Sequence, residues 1–542
     1  MTDIENKDVE AIGEEVAKTK TAKKAPVKKK LKVKAVETVE KTQAEVVNAA
    51  PAPDPVVEEV MNQVQVVEKK KIMFVASEAA PFIATGGLAE VIGSLSKALA
   101  ATGKYDVRVI IPMYSDIKQQ YRQKFQFIGS IFIPLAWRNQ YCGIFTYEAD
   151  GVTYYFIDNE YYFKRPGCYG YYDDGERFAF FSRSVLEVLN FIKFYPEVLH
   201  CHDWQAALAS IYLKTIYCYR EEYQFTRSVF TIHNIEYQGK YSLDILEDLF
   251  GISNDYRYLL EYDNCINLMK AAIECSEKFS TVSPRYAEEI KDAYHAHGLQ
   301  DIIRKNSFKL CGILNGIDPD YYNPETDASL FAHYTAENPD GKRICKAELQ
   351  KMLGLPVRED VPVVAMITRL VTHKGLDLVR AVIEEFLSQD VQFVVLGTGD
   401  SEFESYFADL QNRYRGKVVS CITFNADLSR KIYSGADIFL MPSKSEPCGL
   451  SQMISSRYGT IPVVREVGGL FDSIKPYGAG GNGFTFADYN AYDMLYVLRE
   501  AVNLFYNKEE WNQLIYKAMT TDFTWKNTAK YYEEMYADVL KN

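Results

Sequence analysis

KIMFVASEAAPFIATGGLAEVIGSLSKALAATGKYDVRVIIP, residues 71–112, decides the fold. IMFVA (72–76) is a short apolar run suited to a buried strand. The loop SEAAPFIATGG (77–87) follows, and then LAEVIGSLSKALAA (88–101). In that last stretch Leu88, Val91, Ile92, Leu95 and Leu99 recur at helical spacing. VRVIIP (107–112) is a second apolar run. Strand, glycine turn, helix and strand within about 40 residues make a βαβ unit.

Downstream the alternation continues. Residues 125–157 read as antiparallel strands with a turn at Ala149–Gly151, and a helical stretch covers about 175–192. EVLHCHD (197–203), TRSVFTIHN (226–234) and KFSTVS (278–283) are strands with polar exits. A second series opens with KLCGILNGID (309–318) and runs through VPVVAMITRL (361–370), GLDLVRAVIEEFL (375–387) and VQFVVLGTGD (391–400). It continues through KVVSCITF (417–424), ADIFLMP (436–442) and TIPVV (460–464), and residues 508–541 read as helical. Two successive sets predict an α/β fold of two Rossmann-like doubly wound domains facing across a deep cleft. The expected boundaries are 71–305 for the N-terminal domain and 306–525 for the C-terminal domain. Residues 526–542 are expected to form a helix that returns to the first domain. Ligands of such sheets sit at the carboxyl ends of the strands, where the polar residues are.

Upstream the composition changes abruptly. The chain of 542 residues holds 74 aromatics (30 Phe, 4 Trp, 40 Tyr), none in residues 1–70. Such a segment cannot bury enough apolar surface to offset ordering, so residues 1–70 read as a disordered tail. Within it, residues 18–34 carry nine Lys and no acid, a surface for an anionic partner. The net charge of −12 belongs entirely to the aromatic-rich remainder, which disfavours a nucleic-acid binder. No apolar run approaches the roughly 20 residues of a membrane span, and residues 1–25 lack the apolar core of a secretory signal. Ten scattered cysteines without a CxxC pattern predict reduced thiols, no metal site and a cytoplasmic protein.

Polar residues at strand exits are the candidates for chemistry. ATGGLAEV (84–91) puts Gly86 and Gly87 before a helix, where backbone approaches a ligand closely and the helix N-terminus favours anions. HCHDW (200–204) ends a strand with Asp203, suited to accept a sugar hydroxyl, and TIHNIEYQG (231–239) puts His233 at another exit. ITRLVTHKGLDL (367–378) sets Arg369 and Lys374 at a strand-to-helix junction, the arrangement a diphosphate needs. SKSEPCGLSQM (443–453) holds Glu446 in a Pro/Gly turn, and VGGLFDSI (467–474) supplies a second pair, Gly468 and Gly469. The order fits a ligand that is sugar plus phosphate.

Together these residues resemble the starch and glycogen synthase family, in order from Lys71 to Tyr532. The motifs are FVASEAAPFIATGGLAEV, VLHCHDWQAAL, VFTIHNIEYQG, TVSPRYAEEI, ILNGID, ITRLVTHKGLDLV, LGTGD, PSKSEPCGLSQM and YGTIPVVREVGGLFDS. The resemblance implies a retaining glycosyltransferase that moves glucose from ADP-glucose to the non-reducing 4-OH of an α-1,4-glucan, with no cofactor and no obligate metal. By motif it implies Arg369 and Lys374 as diphosphate-binding cations, and Glu446, His233 and Asp203 as catalytic residues around the donor sugar. It implies the glycine pairs 86–87 and 468–469 as turns at the phosphates. Asn234, Gln238 and Glu90 are further candidates for sugar or acceptor contacts.

Three positions depart from the family pattern. Ala84 stands where the family has Lys, Glu90 where it has Asp, and Val467 where it has Thr. Two alternatives therefore stay open: a related transferase using UDP-glucose or another acceptor, and a degenerate glucan-binding regulatory homologue.

Overall fold

A computed structural model describes residues 68–541. The tail expected over residues 1–70, with its lysine run, lies outside the described residues up to position 67. The first strand starts at Lys70, earlier than its apolar run, because Lys70 and Lys71 register against Tyr105 and Asp106 of the neighbouring strand.

The first sheet has nine strands. Their spatial order is Leu310–Gly312, Lys278–Thr281, Arg227–Ile232, Val198–His202, Lys70–Val75, Tyr105–Pro112, Val152–Asp158, Arg138–Ala149 and Gln126–Leu135. The first seven are parallel, and the last two run antiparallel to their neighbours, with the expected turn at Ala149–Gly151 joining Arg138–Ala149 to Val152–Asp158. The second sheet is parallel throughout, in the order Val418–Cys421, Gln392–Leu396, Val363–Ile367, Ile438–Met441, Ile461–Arg465 and Phe484–Phe486. Numbered along the chain, that is 3-2-1-4-5-6, the doubly wound order of the Rossmann fold. The order reverses between Val363–Ile367 and Ile438–Met441, and in the first sheet between Lys70–Val75 and Val198–His202. Loops leaving those four strands diverge and leave a crevice at each reversal.

Burial follows the predicted pattern. Leu88, Val91, Ile92, Leu95 and Leu99 all lie on the buried face of the Gly87–Ala101 helix, each worth about 1.5–3 kcal/mol of burial. In the Val363–Ile367 strand, Val363 and Ala365 join one apolar cluster and Val364 and Met366 another. Successive strand residues point to opposite faces, and both faces of a parallel sheet are covered. The first cluster runs without a break from the first sheet onto one face of the second.

Two sequence expectations need correction. KLCGILNGID does not open the second series: Leu310–Gly312 pairs in parallel with Lys278–Thr281 and closes the first sheet. The first sheet therefore takes in residues as far as Gly312. A three-residue strand carries too little periodicity to show which sheet it joins. The helical stretch 508–541 is two helices, Lys508–Thr520 and Trp525–Val539. Between them the chain crosses back, with the Ile317 N–H donating to the Phe523 carbonyl at 2.8 Å. The Trp525–Val539 helix then packs on the Gly87–Ala101 helix, with ion pairs from Lys104 to Glu533 and Lys278 to Asp538, both 2.9 Å. No helix of the described residues is long and apolar enough to cross a membrane, and all ten cysteines are free.

Candidate active site

At the reversal in the second sheet, the Val363–Ile367 strand exits into Arg369 and Lys374, and the Ile438–Met441 strand into Ser443 and Glu446. The two exits meet: Lys374 Nζ donates to Glu446 Oε2 at 2.6 Å, and Ser443 Oγ donates to the same oxygen at 3.0 Å. Arg369 is exposed and makes no ion pair among the described residues. Burial first, and then Lys374 and Arg369, lower the His373 pKa, against the pull of Glu446 and Glu236.

At the reversal in the first sheet, Asp203 begins the helix that follows Val198–His202. Its φ is +56°, a left-handed conformation rare outside glycine. Its carboxylate accepts the His233 N–H at 2.7 Å and is also bonded by the Asn234 N–H. Burial raises its pKa to about 7 despite these donors. His233, at the end of Arg227–Ile232, is lowered by burial to about 3, and its Nε2 lies 3.0 Å from His202 Nδ1. The Asn234 Oδ1 accepts the Glu236 N–H at 3.0 Å and holds the turn.

The two glycine pairs differ in kind. Gly86 and Gly87 are exposed, at the start of a 15-residue helix whose N-terminus has no side-chain cap. A Cβ on either would meet nothing within 4 Å, and Gly86 has an extended backbone with φ −167°. Gly468 has φ +45°, and a Cβ there would lie 2.0 Å from the Glu446 carbonyl oxygen. Its N–H donates to both Glu289 carboxylate oxygens, at 3.0 and 3.1 Å. The Gly469 N–H donates to the Glu446 carbonyl at 3.1 Å. Both N–H groups of this second pair are therefore engaged within the protein, and the pair carries the Glu446 loop on its back.

Two lesser candidates are also held by the protein. Gln238 is buried: its amide nitrogen donates to the Ile235 and His297 carbonyls at 3.1 and 3.0 Å, and its oxygen accepts from Asn267 at 2.8 Å. These bonds brace the loop after His233. Glu90 lies on the Gly87–Ala101 helix facing Asp318 and Arg430. Burial first, and then Asp318, raise its pKa, against the pull of Arg430.

Sequence reasoning missed Glu78. Its buried carboxylate accepts from the Thr85 backbone and hydroxyl, the latter at 2.9 Å, and from Tyr169 Oη at 2.9 Å. It ties down the loop that ends in Gly86, and burial raises its pKa. Its position three residues past the first strand was the available signal. Glu289 was missed because nothing local marks it, and His202 was passed over as one of two alternate histidines. Among the described residues no group of three or more His, Cys, Asp or Glu could hold a metal ion.

Comparison with known proteins shows the family. Residues 71–305 match the family described as starch synthase catalytic domain, and residues 351–518 match glycosyl transferases group 1. The glycogen synthase of Geobacillus thermodenitrificans is 47% identical over 476 residues, covering 87% of this chain and 98% of the relative. That of Clostridium acetobutylicum is 47% identical over 477 residues, covering 87% and 100%. Among solved structures, the catalytic domain of starch synthase IV from Arabidopsis thaliana, bound to ADP and acarbose, superposes with a TM-score of 0.82. It is 33% identical and covers 88% of this chain and 100% of its own. Sucrose-phosphate synthase from Thermosynechococcus elongatus, 15% identical with a TM-score of 0.57, shares the fold. The chain belongs to the starch and glycogen synthase family and is a glycosyltransferase of glucan synthesis.

Proposed function

We propose that this chain elongates an α-1,4-glucan in the cytoplasm, transferring glucose from ADP-glucose to the non-reducing 4-OH with retention of configuration. The observation that carries this reading is the meeting of Lys374 and Glu446 at 2.6 Å beside the exposed Arg369. Two cations and one carboxylate at a single crevice suit a ligand that is phosphate at one end and polyol at the other. Arg369 and Lys374 neutralise the charge that develops on the leaving diphosphate. A phosphate that draws off Lys374 frees Glu446 Oε2 to accept donor-glucose hydroxyls. The uncapped helix start at Gly86 and Gly87 offers N–H groups to the same phosphates. His233 and Asp203 line the sugar side, and Asn234 borders them. Gly468 and Gly469 serve by supporting Glu446. Charge on the leaving group is met by side chains and a helix terminus, so no metal is required. The solved starch synthase IV bound to ADP and acarbose supports a nucleotide diphosphate and a glucan-like ligand for this site.

The test is incorporation of label from ADP-[14C]glucose or UDP-[14C]glucose into glycogen by the purified protein. ADP-glucose is expected to be the better donor. Lys374→Ala and Glu446→Ala are each expected to lower kcat on the order of 10²–10³-fold, as for other groups that meet charge in a transition state. A preference for UDP-glucose would overturn the donor assignment. No incorporation from either donor, with glucan still bound, would favour the regulatory homologue that Ala84 suggests.

A further inference from the structure

Three histidines run in a row from the core of the first sheet to its polar edge. His200 and His202 lie on one face of the Val198–His202 strand, with ring centroids 4.1 Å apart. His200 is satisfied at both nitrogens: Nδ1 meets Tyr536 Oη at 2.8 Å, and Nε2 meets Thr231 Oγ1 at 2.6 Å. His202 is fully buried and stacked on Phe74, with ring centroids 5.4 Å apart. Its Nδ1 faces His233 Nε2 at 3.0 Å, and its Nε2 is buried with no hydrogen-bond partner.

A neutral imidazole has one N–H and one bare nitrogen. Burial holds His202 well below its ordinary pKa and His233 at about 3, so both rings are neutral near pH 7. A single proton then lies between His202 Nδ1 and His233 Nε2, and two arrangements satisfy it. If His233 donates, the His202 proton must sit on the buried Nε2 and point at nothing. If His202 donates from Nδ1, its Nε2 is a bare acceptor. Buried N–H groups without a partner are rarer in folded proteins than under-satisfied acceptors, so the second arrangement is favoured. The proton of His233 then resides on Nδ1, the nitrogen without a protein partner among the described residues.

We infer that His202 is a positioning residue that holds His233 in its Nδ1–H form, so that His233 presents a donor rather than an acceptor to the sugar in the crevice. The inference rests on the proposed place of His233 beside the donor glucose. It adds the direction of that hydrogen bond and the residue that sets it. Ring orientation comes from the core: His202 is held by Phe74 and His200, and His200 by Thr231 and by Tyr536 of the C-terminal helix.

The test is long-range 1H–15N spectroscopy of the full chain with 15N-labelled histidine rings, with His233 assigned by loss of its signals in His233→Asn. The expected pattern is a protonated Nδ1 and a bare Nε2. A protonated Nε2, or an imidazolium, would overturn the inference in the wild-type protein without recourse to any variant at 202. His202→Asn keeps an amide donor near the place of Nδ1, whereas His202→Asp offers only an acceptor. His202→Asp is expected to move the His233 proton to Nε2 and to lower kcat at least about tenfold, the worth of one hydrogen bond. His202→Asn is expected to keep the Nδ1–H pattern and more of kcat than His202→Asp. Equal loss in the two variants, with the Nδ1–H pattern kept in both, would mean that His202 acts only structurally. An active His233→Ala enzyme would remove His233 from the sugar site even with the Nδ1–H form observed, which separates the failure of that reading from the failure of this inference.

Discussion

Asp203 combines a left-handed backbone, with φ +56°, and a carboxylate buried under the His233 N–H. A non-glycine residue in that region is strained and is retained where the surroundings impose it. Its folded pKa of about 7 lies above the ordinary carboxylate value. Between those two values the folded chain keeps a proton that the unfolded chain has lost. The stability that Asp203 contributes is thus fully present below about pH 4 and is lost as pH rises through about 7. Function has the opposite sign, because the protonated acid accepts the two N–H groups poorly. We expect kcat/KM for the donor to fall below about pH 7, and Asp203→Asn to lower the plateau and flatten that limb. His233, at about 3, contributes no limb between pH 5 and 8. Ala84 is a second matter of single residues: it is exposed beside the open glycine turn. Ala84→Lys adds a charge there and is expected to lower donor KM or raise kcat by about tenfold, the worth of one charge-assisted bond. Unchanged kinetics would show that the position is already compensated.

The two glycine pairs look alike in sequence and differ as elements. Gly468→Ala brings a methyl to 2.0 Å from the Glu446 carbonyl oxygen, at a left-handed φ. It is expected to cost about 1–3 kcal/mol of stability or more and to displace Glu446, read as a lower Tm together with a lower kcat. At Gly86 and Gly87 neither φ nor packing demands glycine, since an added Cβ meets nothing within 4 Å. Gly86→Ala is therefore expected to leave Tm unchanged and to raise donor KM, because what its methyl obstructs is the ligand. A fall in Tm would instead place the constraint within the protein. The glycines themselves were legible in the sequence. The reason for each was not, because it depends on which atoms approach from loops far along the chain.

Across the whole molecule the two halves are joined by the chain crossings and by a side-chain clasp, besides the shared apolar cluster. The chain crosses at Ile317, whose N–H bonds the Phe523 carbonyl at 2.8 Å, and crosses back there toward the C-terminal helix. A clasp completes the contact: Glu289 of the N-terminal half takes the Gly468 N–H, and the Arg285 N–H donates to Asp472 at 2.7 Å. Arg285 also pairs with Glu289 at 3.0 Å and holds that buried carboxylate in place. Glu289→Ala leaves the Gly468 N–H without its acceptor, at about 1–3 kcal/mol. Solution scattering of that variant without ligand is expected to give a larger radius of gyration than the wild type, with ADP restoring compaction. Superimposable curves would show that the clasp does not govern closure. Closure matters to a transferase because water competes with the acceptor for the activated sugar.

The sequence alone determined the alternation of strands and helices, the faces they bury, and the polar residues that end each strand. All of these are local: strand and helix periods are written within a few residues, and a strand exit is marked by the change from apolar to polar. Arg369, Lys374, Glu446, Asp203 and His233 could therefore be named before any fold was known. Tertiary structure alone decided what those residues touch. Lys374 reaches Glu446 across 72 positions, His200 reaches Tyr536 across 336, and the Gly468 N–H reaches Glu289 across 179. It also moved Leu310–Gly312 into the first sheet and tied Gln238 to the Ile235 and His297 carbonyls. Such pairings arise when two sheets pack against a shared core, and spacing along the chain carries no record of them.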